Sequence, residues 1–247
     1  MPLKFPLMSL NFKSIPFILV FFVISVSKYC IAETQIIRLA TQDWAPFQTL
    51  GANGQMTGVA VTKVVCALEA SGSEFELIMM PWKDAQNYTE SGVYDGFFSA
   101  SINSRRSKYA VPSSSLVTGN LAWFLRPATI FDPFTPAEKN DARYGAVFAS
   151  NKWQTLKRTG YRIEKKPRST EALFRMLQNS DVDVVLEYMS VYQEYIKSNN
   201  LRNDQFKIIP YKSNNMYVYF SKLFLQNRPT FLDTFNSSLQ SCKEVGK

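Results

Sequence analysis

Histidine is missing from the whole 247-residue chain. Its absence excludes Ser-His-Asp and Cys-His catalysis and removes the commonest protein metal ligand. Cysteine is scarce: Cys30, Cys66 and Cys242 are the only three. Two cysteines make no zinc site, and an even pair in an oxidising compartment can close as a disulfide. Beyond the N-terminus there is no long apolar run. Lys/Arg clusters long enough to suggest nucleic acid are also missing, as are short repeats and low-complexity linkers. Asp and Glu are absent from the first 32 residues.

That acid-free stretch has its own order. Lys4 and Lys13 precede the apolar run "IPFILVFFVISV", and "SKYCIA" then puts Cys30 and Ala32 at the small-residue positions before a cut. Basic, apolar and small residues in this order read as a secretory signal peptide over 1–32. The run is too short to span a bilayer comfortably; the alternative is an uncleaved N-terminal anchor, because Lys28 sits close to the cut. "SKYC" lacks the residues a lipoprotein signal places before its cysteine. The mature chain is expected to begin near Glu33, in the periplasm, as a soluble protein. Losing Lys4, Lys13 and Lys28 takes the formal charge from +8 to +5.

The mature chain alternates. "TQIIRLATQ" reads as a buried strand, "DWAPF" as a loop ended by Pro46, and "GANGQMTG" as a turn. Val61, Val64, Val65 and Leu68 recur at helical spacing up to Gly72. "FELIMM" is a strand, "PWKDAQNYTESG" a short helix between Pro and Gly, and "YDGFFSAS" a third strand. A serine-rich loop leads to the strand "NLAWFLR", and "PATIFDPFTPAEKND" is a proline-rich surface loop. The expected order is then strand "RYGAVFA", helix "NKWQTLKRTG", strand "YRIEKK" and helix "STEALFRMLQNS" capped by Ser169. Strand "DVDVVLEY", helix "SVYQEYIKSNN", strands "QFKIIPY" and "NMYVYFSK" and a last helix from near Pro229 complete it. Such alternation implies two α/β units with parallel, helix-covered sheets.

On these residues the chain resembles a family. "IRLATQDWAPFQ", "NGQMTGVAVTKVVCALEASG", "MPWKDAQNYTESGVYDGFFSASINSRRSKYAVPSSS", "RYGAVFASNKW", "STEALFRMLQNSDVDVVLEY" and "NMYVYFSK" follow, in order, segments of the periplasmic solute-binding proteins of ABC transporters, specifically the polar amino acid-binding group. The resemblance covers residues 35–240. It implies a type II periplasmic-binding-protein-like fold: two α/β lobes, each a central sheet flanked by helices, joined by two hinge strands around a cleft that closes by hinge motion. The boundaries implied are 33–116 and 217–247 for lobe 1, 121–211 for lobe 2, and hinges at 117–120 and 212–216. Cys66 and Cys242 then fall on two helices of lobe 1, as a disulfide or as two buried thiols.

By the same resemblance Arg106 stands where the family binds a ligand carboxylate, a task that suits the rigid fork of a guanidinium. Arg105 and Lys108 are expected to face water. Ser99 and Ser101 end the third strand, on one side of it if alternation holds, and ligands lie beyond the carboxyl ends of strands in open α/β sheets. Trp44 stands where the family covers its ligand with an aromatic, with Trp82 and Asp43 as further cleft candidates. Ser150 and Asn151 lie at a strand-to-helix junction whose free amides favour an anion. Glu187 and Tyr188 depart from the family pattern, which has an aspartate for the ligand's α-ammonium at Tyr188. Tyrosine carries no such charge near neutral pH, and Glu187 serves only if it turns inward.

The expected function is capture of a small carboxylate-bearing solute, an amino acid or a relative, and its delivery to a membrane permease. The partner in a second reading is a membrane sensor. A dehydratase acting on prephenate-like acids and a partner-binding domain with a vestigial cleft are the readings from other classes. No catalytic residue, metal or cofactor is implied, and a monomer is expected.

Overall fold

The computed structural model describes Met1 and residues 36–129, 132–134 and 141–242. Chain contacts separate Met1–Glu33 from Thr34–Lys247, and every element belongs to the second unit. The signal-peptide reading and Cys30 lie outside the described residues, as does much of the proline-rich loop.

The first strand, β1 (Ile37–Thr41), buries Ile37, Leu39, Ala40 and Thr41. A small hairpin follows, β2 (Thr49–Leu50) and β3 (Met56–Thr57), across the Asn53-Gly54 turn. Helix α1 (Val59–Ala70) turns Ala60, Val61, Val64, Ala67 and Leu68 inward. Gly72, at φ +68°, ends it in the left-handed region that a side chain disfavours. Strand β4 (Phe75–Met79), helix α2 (Trp82–Glu90) and strand β5 (Gly96–Ala100) complete a βαβ order. Both β4 and β5 pair in parallel with β1.

The serine-rich segment is more structured than its composition suggests. It holds helix α3 (Arg106–Tyr109) and strand β6 (Ala110–Pro112) before the long β7 (Val117–Leu125). Then come β8 (Tyr144–Gly145), α4 (Asn151–Arg158), α5 (Thr170–Gln178), β9 (Val184–Tyr188), α6 (Met189–Ser198), β10 (Lys207–Ser221), α7 (Lys222–Asn227) and α8 (Phe231–Ser241). Ser169 caps α5 as expected, accepting from Ala172 N at 3.1 Å. "YRIEKK" forms no strand: Tyr144 N donates to Arg162 O, and Phe148 N to Pro167 O just beyond the segment, without a ladder. Tyr161 and Ile163 still pack on the core, which explains their apolar pattern.

Among the described residues the main sheet runs β4-β1-β5-β10-β7-β9-β8, with β6 also on β10. Parallel pairing is confined to the two ends, β4-β1-β5 and β9-β8; the pairs through β7 and β10 are antiparallel. The two expected strands "QFKIIPY" and "NMYVYFSK" are therefore one. The polar "KSN" between them keeps its ladder with β7, because backbone bonds need no apolar side chains. Side-chain bonds Ser213–Asn120 and Thr118–Asn215, both 2.7 Å, tie the two strands there. The molecule thus has two α/β halves bridged by a two-stranded ribbon.

Helix α8 lays Phe231, Phe235 and Leu239 on the core beside α1, and Cys242 at its end is bonded to Cys66. Closing a sequence separation of 176 residues restricts the unfolded chain, an effect of about 2–5 kcal/mol.

Candidate ligand-binding site

The predicted site residues converge at the carboxyl ends of β1, β5, β8 and β9, where loops leave the sheet. An inner cavity of about 20 Å³ is lined by Trp44, Ser99, Ser101, Arg106, Ser150, Asn151 and Tyr188, together with Gln42, Trp82, Ala100, Lys152 and Met216. That volume holds about one water molecule. Gln42, Trp44 and Trp82 also line an adjoining outer chamber of about 380 Å³, whose far side is Val191, Glu194 and Tyr195. Asp43 belongs to that chamber and is exposed.

Arg106 is the first residue of α3 and only 1% exposed. Its Nε donates to Gln86 Oε1 at 3.1 Å and its Nη1 to Ser101 O at 2.6 Å. The guanidinium lies 5.2 Å from the Trp82 ring centre and 5.9 Å from that of Phe97. Two of its five N–H groups are used in these bonds. Burial lowers its pKa to about 10, and it stays charged at neutral pH. No carboxylate pairs with it among the described residues. Arg105 is exposed and pairs with Glu90 at 3.2 Å, and Lys108 is exposed. The two adjacent arginines face apart because both have helical backbone angles, and successive helical residues are turned by about 100°.

Ser99 departs from strand alternation. Its φ of +62° turns the chain, so Ala100 joins the apolar cluster of Phe97 while Phe98 packs in another. Ser99 Oγ is 2.7 Å from Gln48 Oε1, a fully buried residue. Ser101 accepts from Asn151 Nδ2 at 3.0 Å, and Asn151 also reaches Ile102 O at 3.2 Å. These bonds cross the cavity. Ser150 caps α4 by accepting from Trp153 N at 3.1 Å, so its hydroxyl serves its own helix.

The opposite wall holds a residue that the sequence reading overlooked. Lys152 is 8% exposed, and its Nζ lies 2.7 Å from Glu187 Oε1. The same ammonium stands 4.5 Å from the Trp44 ring centre and 4.8 Å from that of Tyr188. Burial pushes it below the usual lysine range, with Glu187 acting against the shift. Glu187, 0% exposed, does turn inward, but Lys152 stands between it and the cavity, which Glu187 does not line. Tyr188 packs edge-on against Trp44 and Phe47. Burial raises its hydroxyl's pKa, so the phenol is neutral. Gly119 makes room for it: a Cβ there would meet the Tyr188 ring at 2.6 Å.

A signal for Lys152 was present. It occupies the first turn of α4, where the helix dipole disfavours a cation, so burial there calls for a carboxylate. Gln86 had a weaker signal, one turn after Trp82 on α2. No helix among the described residues is long and apolar enough to cross a membrane. No group of three His, Cys, Asp or Glu among them could hold a metal ion.

No protein-family model and no curated protein matches the sequence. Solved structures do match the fold. The arginine-, lysine-, histidine-binding protein ArtJ from Geobacillus stearothermophilus superposes with a TM-score of 0.71 at 18% identity, over 86% of this chain and 91% of that one. An ancestral arginine-binding protein bound to arginine gives 0.71 at 21% identity, over 85% and 93%. A histidine kinase sensor domain with similarity to periplasmic binding proteins gives 0.73 at 16%, over 86% and 92%. The fold is that of the two-lobed periplasmic binding proteins.

Proposed function

We propose that this chain is an extracytoplasmic solute-binding protein that captures a small carboxylate-bearing solute between its two lobes. The observation that carries this reading is Arg106: a buried guanidinium without a carboxylate partner among the described residues, fixed by Gln86 and Ser101 and facing a cavity. A buried cation without a counterion is costly unless a ligand completes it. The binding proteins of the same fold, which take amino acids, support the same reading.

In this reading lobe 1 comprises 33–116 and 217–247, and lobe 2 comprises 121–211. The hinges are 117–120 and 212–216, a reading supported by the β7–β10 ladder that pairs Val117 with Met216 and Asn120 with Ser213. The inner cavity is too small for a solute as it stands, so entry requires the Asn151–Ser101 bond to open and the lobes to part. Residues 1–32 direct export and are removed. The closed form is handed to a membrane permease. The sensor domain of similar fold favours a second recipient, a membrane signalling receptor. Turnover is not expected: Glu187, the buried carboxylate beside the cavity, is tied to Lys152 and is no free acid or base.

Thermal melting against a panel of small acids tests the proposal. Ligand raises the melting temperature by mass action. Two charge-assisted hydrogen bonds are worth roughly 1.5–3 kcal/mol each, so Arg106→Met should weaken any carboxylate bound by about 100-fold or more. Unchanged affinity in that variant removes Arg106 from the site.

A further inference from the structure

The wall facing Arg106 contains a finished cation site. An ammonium taken out of water needs a carboxylate and gains from aromatic faces. Here Glu187, Trp44 and Tyr188 supply both, and the chain's own Lys152 fills the place. An incoming group meets the Lys152 ammonium and not the Glu187 carboxylate, because Lys152 lines the inner cavity and Glu187 does not. Arg106 lines the same cavity, and its charge is among the influences that weaken proton binding at Lys152. Two cations therefore face this space, with one carboxylate behind one of them. Asp43, Arg168, Glu171 and Glu194 line the outer chamber, and two further cations, Arg158 and Lys212, line another space that shares Ser101 and Asn151 with the cavity. Asp43 and Glu171 are exposed in the outer chamber, where water and salt screen them.

Resting on the solute-binding reading above, we propose that the inner cavity takes a carboxylate whose neighbouring carbon bears no ammonium group. The anion is shared between Arg106 and Lys152, and α-amino acids are rejected. An α-ammonium cannot separate from its carboxylate. Bound with the carboxylate on Arg106, it is forced beside Lys152. Glu187 cannot compensate it: its Oε1 holds Lys152 and the Tyr188 amide, and its Oε2, without a partner among the described residues, is buried in a residue that does not line the cavity. Like charges juxtaposed in a buried site are a recognised means of excluding a wrong partner. A cationic group at the far end of the solute would sit in the outer chamber, so the restriction concerns only the group next to the carboxylate.

Matched pairs of acids test this on the mature wild-type protein: glutarate with glutamate, hydrocinnamate with phenylalanine, and desaminoarginine with arginine. Melting shifts and calorimetric titration should show at least one desamino acid binding about tenfold or more tighter than its α-amino partner. Lys152→Ala opens the seat and exposes Glu187 to the cavity, so the preference should shrink or invert in that variant. An α-amino acid that binds wild type as tightly as its desamino partner, or tighter, overturns this inference and leaves the solute-binding function intact. Absence of any shift with all six acids overturns both. Should Lys152→Ala fail to fold, the wild-type pairs decide the matter alone.

Discussion

Arg106 and Lys152 face each other across one small cavity, and both are removed from water. Lys152 has a carboxylate at 2.7 Å. Arg106 has amide and carbonyl oxygens and two ring faces. Lys152 is internally compensated, and removing its partner would strand a charge. Arg106 is held in position yet keeps donors for something else. Burial of a cation therefore says little by itself about function; the identity of its partner separates a structural pair from a receptive one.

The difference can be broken from either side. Glu187→Gln strands the Lys152 ammonium and should cost about 3–5 kcal/mol of stability, read by urea denaturation. Arg106→Met removes no counterion and should change stability by only about 1 kcal/mol. Equal costs for the two would erase the distinction drawn between them. A subtler probe leaves both charges in place. Gly119→Ala drives a methyl into the Tyr188 ring and should cost about 1–3 kcal/mol through overpacking. It should also shift the Lys152 ammonium resonance, since Tyr188 is one of its two ring neighbours.

The smallest effect comes from a more solvent-exposed pair that serves as a control. Burial works to raise the Asp183 pKa, but hydrogen bonds from Arg143 and the charge of Arg126 outweigh it, so the carboxyl titrates below its ordinary range. The folded pKa lies below the unfolded one, so the stabilisation is present above the ordinary carboxylate range and is lost as pH falls through the folded value. Asp183→Asn should cost about 1 kcal/mol near neutral pH, discounted for the half-exposed arginines. The gap from wild type should close in acid. A gap that persists below the carboxylate range would assign the effect to shape and not charge.

Much of the scaffold was legible because its signals are local. The helical spacing of Val61, Val64 and Leu68, the Ser169 cap, and the glycines ending α1 and α2 each depend on a few neighbouring residues. The missed features depend on distant ones. "YRIEKK" has a strand's pattern but meets no ladder partner. The "KSN" bridge of β10 looks like a break but finds Gly119 and Asn120 opposite it. Ser99 was placed by alternation, which its left-handed backbone interrupts.

The sequence by itself determined the alternating α/β order, the exclusion of histidine chemistry and, through the family resemblance, the choice of Arg106 over Arg105. These rest on composition and on short-range periodicity, which every chain carries in its local order. Only the tertiary structure decided that Cys66 meets Cys242 and that Ser101 and Asn151 bond across the cavity. It alone decided that Lys152 stands in front of Glu187. Pairings between residues 35 to 176 positions apart are fixed by how the two halves pack, and packing is settled by shape and desolvation over the whole chain.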